Sequence, residues 1–308
     1  MMRLAVALLI AAAVRAGDPL LFVSFRDNGE TGLFLALSDD GYRWAAAAGG
    51  RPVVRPERPG MLMRDPFLVR GPGGRWHMLW TTGWTRSKED GSLTIGHSSS
   101  SDLVHWSSQR LIPIPLEGAR NAWAPEAVWH PKQKQWIVYW ASTVPGRLPE
   151  SEAGGERGYN HRIWAMRTPD FERFTAPELF FDPGFNVIDA TIVHAGRRWL
   201  MVFKDERREP LAKNLRLAWA GDPAGPWRAE PASFTKSWVE GPSVIRLGRD
   251  WVIYFDHYGK PQHYGAYRTR DWKRFEDITA RMSFPPGQRH GTVVHITQAE
   301  ATRLRALQ

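Results

Sequence analysis

The stretch Asp65-Pro66-Phe67-Leu68-Val69, its turn Gly71-Pro72-Gly73-Gly74 and the tryptophan at 76 decide how the rest of the chain is read. A carboxylate opens a short β-prone run, turn-formers follow, and an aromatic opens a second run, which is the pattern of a β-hairpin. The same pattern recurs at Glu126-Ala127-Val128-Trp129, Asp189-Ala190-Thr191-Ile192-Val193 and Glu240-Gly241-Pro242-Ser243-Val244-Ile245, each reaching a tryptophan (Trp136, Trp199, Trp251) ten or eleven residues later. Between these hairpins lies a second repeat, an Asp followed four or five residues on by an aromatic. The pairs are Asp40 with Trp44, Asp102 with Trp106, Asp170 with Phe174, Asp222 with Trp227 and Asp271 with Phe275, at intervals of 62, 68, 52 and 49 residues. An Asp in a turn bonds the backbone beyond it, and the aromatic opens the next strand.

Each unit therefore reads as four antiparallel strands, the arithmetic of a β-propeller blade. Four units begin at Asp65, Glu126, Asp189 and Glu240. Leu20–Phe25, Leu33–Leu37 and the run from Trp44 supply three strands of a fifth, whose missing inner strand is available at His290–Ile296. The expectation is an all-β protein, a single five-bladed propeller over residues 17–308, closed by one blade built from both chain ends.

Composition agrees. The 308 residues hold 16 Trp, 28 Gly, 23 Pro and no Cys, which suits short strands and turns and excludes thiolate metal sites, cysteine nucleophiles and disulfide staples. Met1–Arg3, the apolar run Leu4–Val14 and the small residues near Ala16 read as a cleaved secretory signal over residues 1–16, so a secreted or periplasmic protein is expected. The apolar run is eleven residues, short of the roughly 20 needed to span a bilayer, and no later stretch approaches that length. Lys and Arg number 41 against 32 Asp and Glu; without Arg3 and Arg15 the balance is 39 against 32. The arginines are scattered and no nucleic-acid-binding motif is present, so the excess reads as a solvated basic surface rather than a nucleic-acid site. A Walker loop and His-Glu-x-x-His are absent, and Gly96-His97-Ser98-Ser99-Ser100 lacks the closing glycine of a nucleophile elbow.

In a propeller the inner strands converge at one end of a central channel. Taken as equivalent positions, Asp65, Glu126, Asp189, Glu240 and His290 would place four carboxyls and an imidazole around one pocket. Acids packed together in a funnel split their pKa values, and a protonated and an ionised carboxyl are the pair that glycosidic cleavage needs.

The ordered set Arg64-Asp65-Pro66, Trp123-Ala124-Pro125-Glu126, Ile188-Asp189-Ala190 and Val239-Glu240-Gly241-Pro242 resembles the blade-initial motifs of glycoside hydrolase family 43, a group of five-bladed propellers that includes arabinofuranosidases, xylosidases and galactosidases. The resemblance implies that Asp65 is the general base, that Glu240 is the general acid and that an ionised Asp189 raises the pKa of Glu240. Two departures stand out: Asp189-Ala190-Thr191 replaces the usual Asp-Pro-Ser, and Glu126 occupies a place where many relatives carry another residue. Glu126 is accordingly read as a ligand to a sugar hydroxyl, with a spare catalytic acid as the alternative. Arg64, Trp123, Trp238 and His290 complete the expected substrate contacts. By the same resemblance His290 is a channel histidine bonded to water, with calcium the ion it would meet if one binds; no cofactor is expected to be required.

The expected activity is that of an exported, monomeric, inverting, exo-acting hydrolase of arabinose-, xylose- or galactose-containing oligo- or polysaccharides. Two alternatives stay open. A retaining fructosidase-like enzyme would need a further Asp nucleophile, for which only Asp18 or Asp27 is available, and a non-catalytic glycan-binding propeller would be expected to have lost an acid. The loop Val144–Asn160 is the candidate mobile rim.

Overall fold

The computed structural model describes residues 17–84, 93–155 and 158–307; the Met1–Ala16 leader expected from the sequence lies outside them. The described residues form five four-stranded antiparallel sheets. Blade I contains β1 (Leu20–Phe25), β2 (Leu33–Ser38) and β3 (Ala45–Ala46). Blade II contains β4 (Arg64–Arg70), β5 (Trp76–Thr81), β6 (Thr94–Ser100) and β7 (Arg110–Pro113). Blade III follows with β8 (Trp123–His130), β9 (Gln135–Thr143), β10 (His161–Thr168) and β11 (Glu178–Phe181). Blade IV has β12 (Val187–Ala195), β13 (Arg198–Asp205), β14 (Asn214–Ala220) and β15 (Arg228–Ser233), and blade V has β16 (Glu240–Leu247), β17 (Asp250–His257), β18 (His263–Thr269) and β19 (Glu276–Asp277). The inner strand of blade I is β20 (Thr292–His295), which pairs with β1 from Val23 opposite Thr292 to Leu20 opposite His295. The chain ends thus close the ring as expected, and the free outer edge of each blade is β3, β7, β11, β15 or β19.

The aspartate turns have a physical basis in the bonds they make. The Oδ1 atoms of Asp40, Asp102, Asp170 and Asp271 each accept two backbone N–H groups, those two and three residues on. Two residues before each Asp, the hydroxyl of Ser38, Ser100, Thr168 or Thr269 accepts the N–H three residues on, from Gly41, Leu103, Phe171 or Trp272. Those four residues have φ between 58° and 77°, so the polar cage holds a left-handed turn that three of them adopt without being glycine.

Aromatic and aliphatic side chains fill the five seams between blades. Trp76 and Trp80 pack where blade I meets blade II, and Trp136, Trp140 and Trp164 where blade II meets blade III. Trp199 and Trp251 border the next two seams. Each buried side chain of this size contributes on the order of 2 kcal/mol. Gly96 is explained here: a Cβ at that position would lie 2.0 Å from Cε2 of Trp80, so the indole rests directly on its backbone.

One element was not expected. Helix α1 (Gln298–Arg305) ends the chain, opened by a capping box in which Thr297 and Glu300 exchange bonds. Its Ala301 and Leu304 join the seam between blades I and II, and the buried Glu300 carboxylate accepts from Trp76 Nε1 at 2.8 Å and pairs with Arg70. Arg70 and Trp76 flank the β4–β5 hairpin, so the helix sits at the opposite end of the propeller from Asp65.

The inner strands carry the feature that shapes the site. In β4, β8, β12 and β16 the pairing register slips by one residue near the start, which marks a bulge. The first bulged residue has positive φ in all four: Asp65 at 48°, Ala124 at 47°, Asp189 at 51° and Gly241 at 57°. The expected equivalence of Asp65, Glu126, Asp189 and Glu240 is therefore corrected. Asp65 and Asp189 are structurally equivalent, Glu240 lies one residue before its bulge, and Glu126 lies two residues after the first bulged residue of its strand. Because side chains alternate along a strand, such slips decide which acids face the channel.

Candidate active site

A cavity of about 630 Å³ opens at the bulged end of the inner strands. It is lined by Arg64, Asp65, Trp123, Asp189, Trp238, Glu240 and His290, seven of the eight positions expected from the sequence. The eighth, Glu126, is not among its lining residues.

His290 sits among the acids. Its Nδ1 lies 3.5 Å from Oδ1 of Asp65 and 3.8 Å from Oδ2 of Asp189. The imidazole rests on Gly241, where a Cβ would come within 2.2 Å of the ring, so this position must be glycine both for its φ and for the histidine above it. The Gly241 N–H in turn donates to Asp189 Oδ2 at 3.1 Å. Among the described residues no group of three or more His, Asp or Glu is placed to hold a metal ion.

Glu240 is gripped from both sides. Lys204 Nζ donates to its Oε2 at 3.0 Å, and Arg289 lies 3.4 Å from its Oε1. Burial pushes the carboxyl up, but Lys204, Arg289 and His290 together outweigh it and hold Glu240 down at about 2. Asp189 goes the other way, raised to about 7 by burial, opposed by His290 and reinforced by Glu240. The two carboxyls are thus driven apart in the direction opposite to the one expected, Asp189 upward and Glu240 downward, and they titrate as one coupled pair.

Glu126 is buried beneath this layer. Its Oε2 accepts the Tyr139 hydroxyl at 2.9 Å, and burial raises its pKa to about 8, against the pull of bonds from Tyr139 and Thr191 and with a further push from Asp189. A neutral acid outside the cavity lining is not a sugar ligand in this geometry; it is a protonated core group supporting the floor of the site.

The walls are aromatic. Trp123 packs against Tyr159 and His161 at 5.0 and 4.9 Å, with Trp84 next at 6.5 Å. On the other side Trp238, about one-third exposed, meets Tyr258 edge-on at 5.9 Å. His161 lies 3.0 Å through Nδ1 from the Asn186 side-chain oxygen; burial, then Lys213, Lys204 and Arg120, lower its pKa to about 3 and keep it neutral. Arg64 Nη1 donates to Asn28 Oδ1 at 2.7 Å, with its guanidinium 5.0 Å from the Trp84 ring. In the described part of the Val144–Asn160 loop, Arg162 Nη2 donates to Ser151 Oγ at 2.6 Å and the Arg208 N–H to Gly154 O at 3.1 Å. Asp27 lines the cavity from the turn after β1, not from an inner strand, so among the described residues it adds no strand-initial nucleophile.

Sequence reasoning missed Lys204, Arg289, Tyr258 and His161. A signal existed for two of them. Lys204 interrupts the buried run Leu200–Phe203, where an unpaired ammonium would be costly, and Arg289 adjoins His290. The misplacement of Glu126 was also visible: aligning the motifs on Pro66, Pro125 and Pro242, the second bulged residue of each strand, puts Glu126 after the proline and Glu240 two before it.

A five-bladed propeller whose channel mouth gathers three carboxyls, two cations and facing aromatic walls defines a glycoside hydrolase. Comparison with known proteins names its family: residues 18–302 match the glycosyl hydrolase 43-related family, described as a probable glycosyl hydrolase domain, and the chain belongs to it. An α-L-arabinofuranosidase of Bifidobacterium longum subsp. longum is 24% identical over 189 residues, covering 55% of this chain and 17% of that protein, so the chain spans about a sixth of the relative's length. Among solved structures, the exo-β-1,3-galactanase of Phanerochaete chrysosporium superposes with a TM-score of 0.62 at 12% identity, over 87% of this chain and 62% of that one. A family-43 β-1,3-galactosidase with bound galactodeoxynojirimycin gives a TM-score of 0.57 at 13% identity, over 86% and 91% of the two chains. At these identities the structures speak for the fold.

Proposed function

We propose that this protein is an inverting, exo-acting glycosidase that removes arabinose or galactose, or the related xylose, from the ends of plant or microbial glycans. Asp65 takes a proton from water as the water oxygen bonds to the anomeric carbon. Glu240 gives a proton to the departing glycosidic oxygen as its bond to that carbon breaks. The proton Glu240 donates is the one it shares with Asp189; release of the Asp65 proton to solvent and uptake of one proton by the Asp189–Glu240 pair return the site to its starting state. The observation that carries the reading is the convergence of Asp65, Asp189 and Glu240 on one cavity with His290 between the first two. Trp123 and Trp238 supply flat apolar faces for a sugar ring. The arabinose reading draws on the arabinofuranosidase relative, and the galactose reading on the galactanase and galactosidase folds.

The proposal includes export, resting on the Met1–Ala16 pattern, and action as a monomer. The described residues contain no helix long and apolar enough to cross a membrane. The test is release of sugar from a panel of chromogenic arabinofuranosides, galactosides and xylosides together with β-1,3-linked galacto-oligosaccharides. Wild type should cleave at least one and Glu240→Gln should lose that activity. Activity untouched by the substitution would remove Glu240 from the chemistry, and binding without hydrolysis on every glycan would favour the non-catalytic propeller.

A further inference from the structure

Lys204 is the largest departure from what an acid catalyst ordinarily keeps beside it. Its side chain is 2% exposed, and its ammonium lies 3.0 Å from Glu240 Oε2 and 2.8 Å from Glu206 Oε2, with the Tyr258 ring at 4.4 Å. Glu206 holds a second ammonium, that of Lys213, on its other oxygen. Lys204 is therefore a single buried charge shared between two carboxylates, one in the candidate machinery and one outside it.

We propose that Lys204 is a positioning residue that governs when Glu240 can carry a proton, by moving its ammonium between Glu240 and Glu206. With Lys204 on Glu240 the carboxyl is ionised and can only accept hydrogen bonds. With the ammonium drawn to Glu206, the remaining neighbours are Arg289 at 3.4 Å, His290, Asp189, the cross-strand Asp256 and Tyr258. Arg289 is itself committed to Asp256 at 2.6 Å, so burial and the nearby acids then favour the protonated form that donates to a leaving oxygen. Only a small shift is needed, because Nζ already lies 3.0 Å from Glu240 Oε2 and 2.8 Å from Glu206 Oε2. The catalytic consequence rests on the glycosidase reading; the control of Glu240 protonation does not.

The experiment follows the side-chain carboxyl of Glu240 by NMR in ¹³C-glutamate-labelled full-length protein, the resonance assigned by its loss in Glu240→Gln. In wild type it should titrate below the ordinary carboxylate range. Lys204→Met should raise the midpoint by about one to three pH units, the range for removing an opposite charge at this distance. Lys204→Arg should keep it low, and Glu206→Gln should leave Glu240 ionised to at least as low a pH as in wild type. Should Lys204→Met fail to fold, Lys213→Met, which removes the second ammonium from Glu206, should also move the midpoint upward. A Glu240 midpoint indifferent to the charge at 204, or to Lys213→Met in that event, overturns the proposal. In parallel, Lys204→Met should move the alkaline limb of the kcat/KM profile upward, because Lys204 holds down Asp189 as well as Glu240. A protein that hydrolyses nothing sinks the glycosidase reading while the NMR titration still judges Lys204.

Discussion

Glu126 and Glu240 are glutamates near the openings of two inner strands, both largely buried, and they carry opposite charge states. Burial pushes both upward. Glu126 has neutral hydroxyl partners, Tyr139 and Thr191, and a nearby acid, and it stays protonated to about pH 8. Glu240 has Lys204 and Arg289, and it is ionised down to about pH 2. The contrast teaches that burial sets the stakes and partners set the sign. It also separates a supporting acid from a reacting one, since only Glu240 opens on the cavity.

The largest expected effect breaks the comparison directly. Glu240→Gln and Asp65→Asn should each lower kcat/KM roughly 10²- to 10⁴-fold, the usual worth of a positioned acid or base, while Glu126→Gln should cost far less on the same glycoside. Similar losses at 126 and 240 would mean that the buried acid takes part in the chemistry.

Stability gives the reverse contrast. Because the folded-state value of Glu126 lies above its ordinary 4.5, its contribution is complete below that pH and is lost as pH rises to about 8. Glu126→Gln cannot ionise, so its stability relative to wild type should grow between pH 4 and pH 9, by at most about 5 kcal/mol. Denaturant titrations at the two pH values check this, and a constant difference would refute the neutral-acid assignment.

The shared proton makes a smaller, pH-shaped prediction. The Asp189–Glu240 pair loses it near pH 7, so kcat/KM should fall above that pH, approaching tenfold per unit, and Asp189→Asn should abolish or displace that limb. A profile flat to pH 9 would place the proton elsewhere. The smallest effects belong to the walls: Trp123→Ala and Trp238→Ala should each weaken substrate binding by about 1 kcal/mol, read chiefly in KM.

Most of the architecture was legible because a propeller repeats its instructions. Asp turns at Asp40, Asp102, Asp170 and Asp271 and strand-opening tryptophans recur often enough to count blades, and the leftover segment at Thr292–His295 had a vacancy to fill. The residues brought to the cavity were legible for the same reason. What escaped depends on single-residue geometry. The bulges shift register by one position, which turned Glu126 away from the channel, and repeat logic aligned on the carboxylates rather than the prolines hid that shift. Lys204 and Arg289 belong to the end of a second strand and to the approach to the closing strand, so they reach Glu240 only in three dimensions. Helix α1 was hidden because its buried apolar residues amount to Ala301 and Leu304 in an octet that is mostly polar.

The most direct test of the central claim uses two glycosides of the same sugar, one with a leaving group that needs a proton, such as an alkyl or sugar alcohol, and one with a dinitrophenolate that does not. Glu240→Gln should lose hydrolysis of the first and retain much of the second, whereas Asp65→Asn should lose both. Equal losses by Glu240→Gln on the two substrates would contradict its role as the acid.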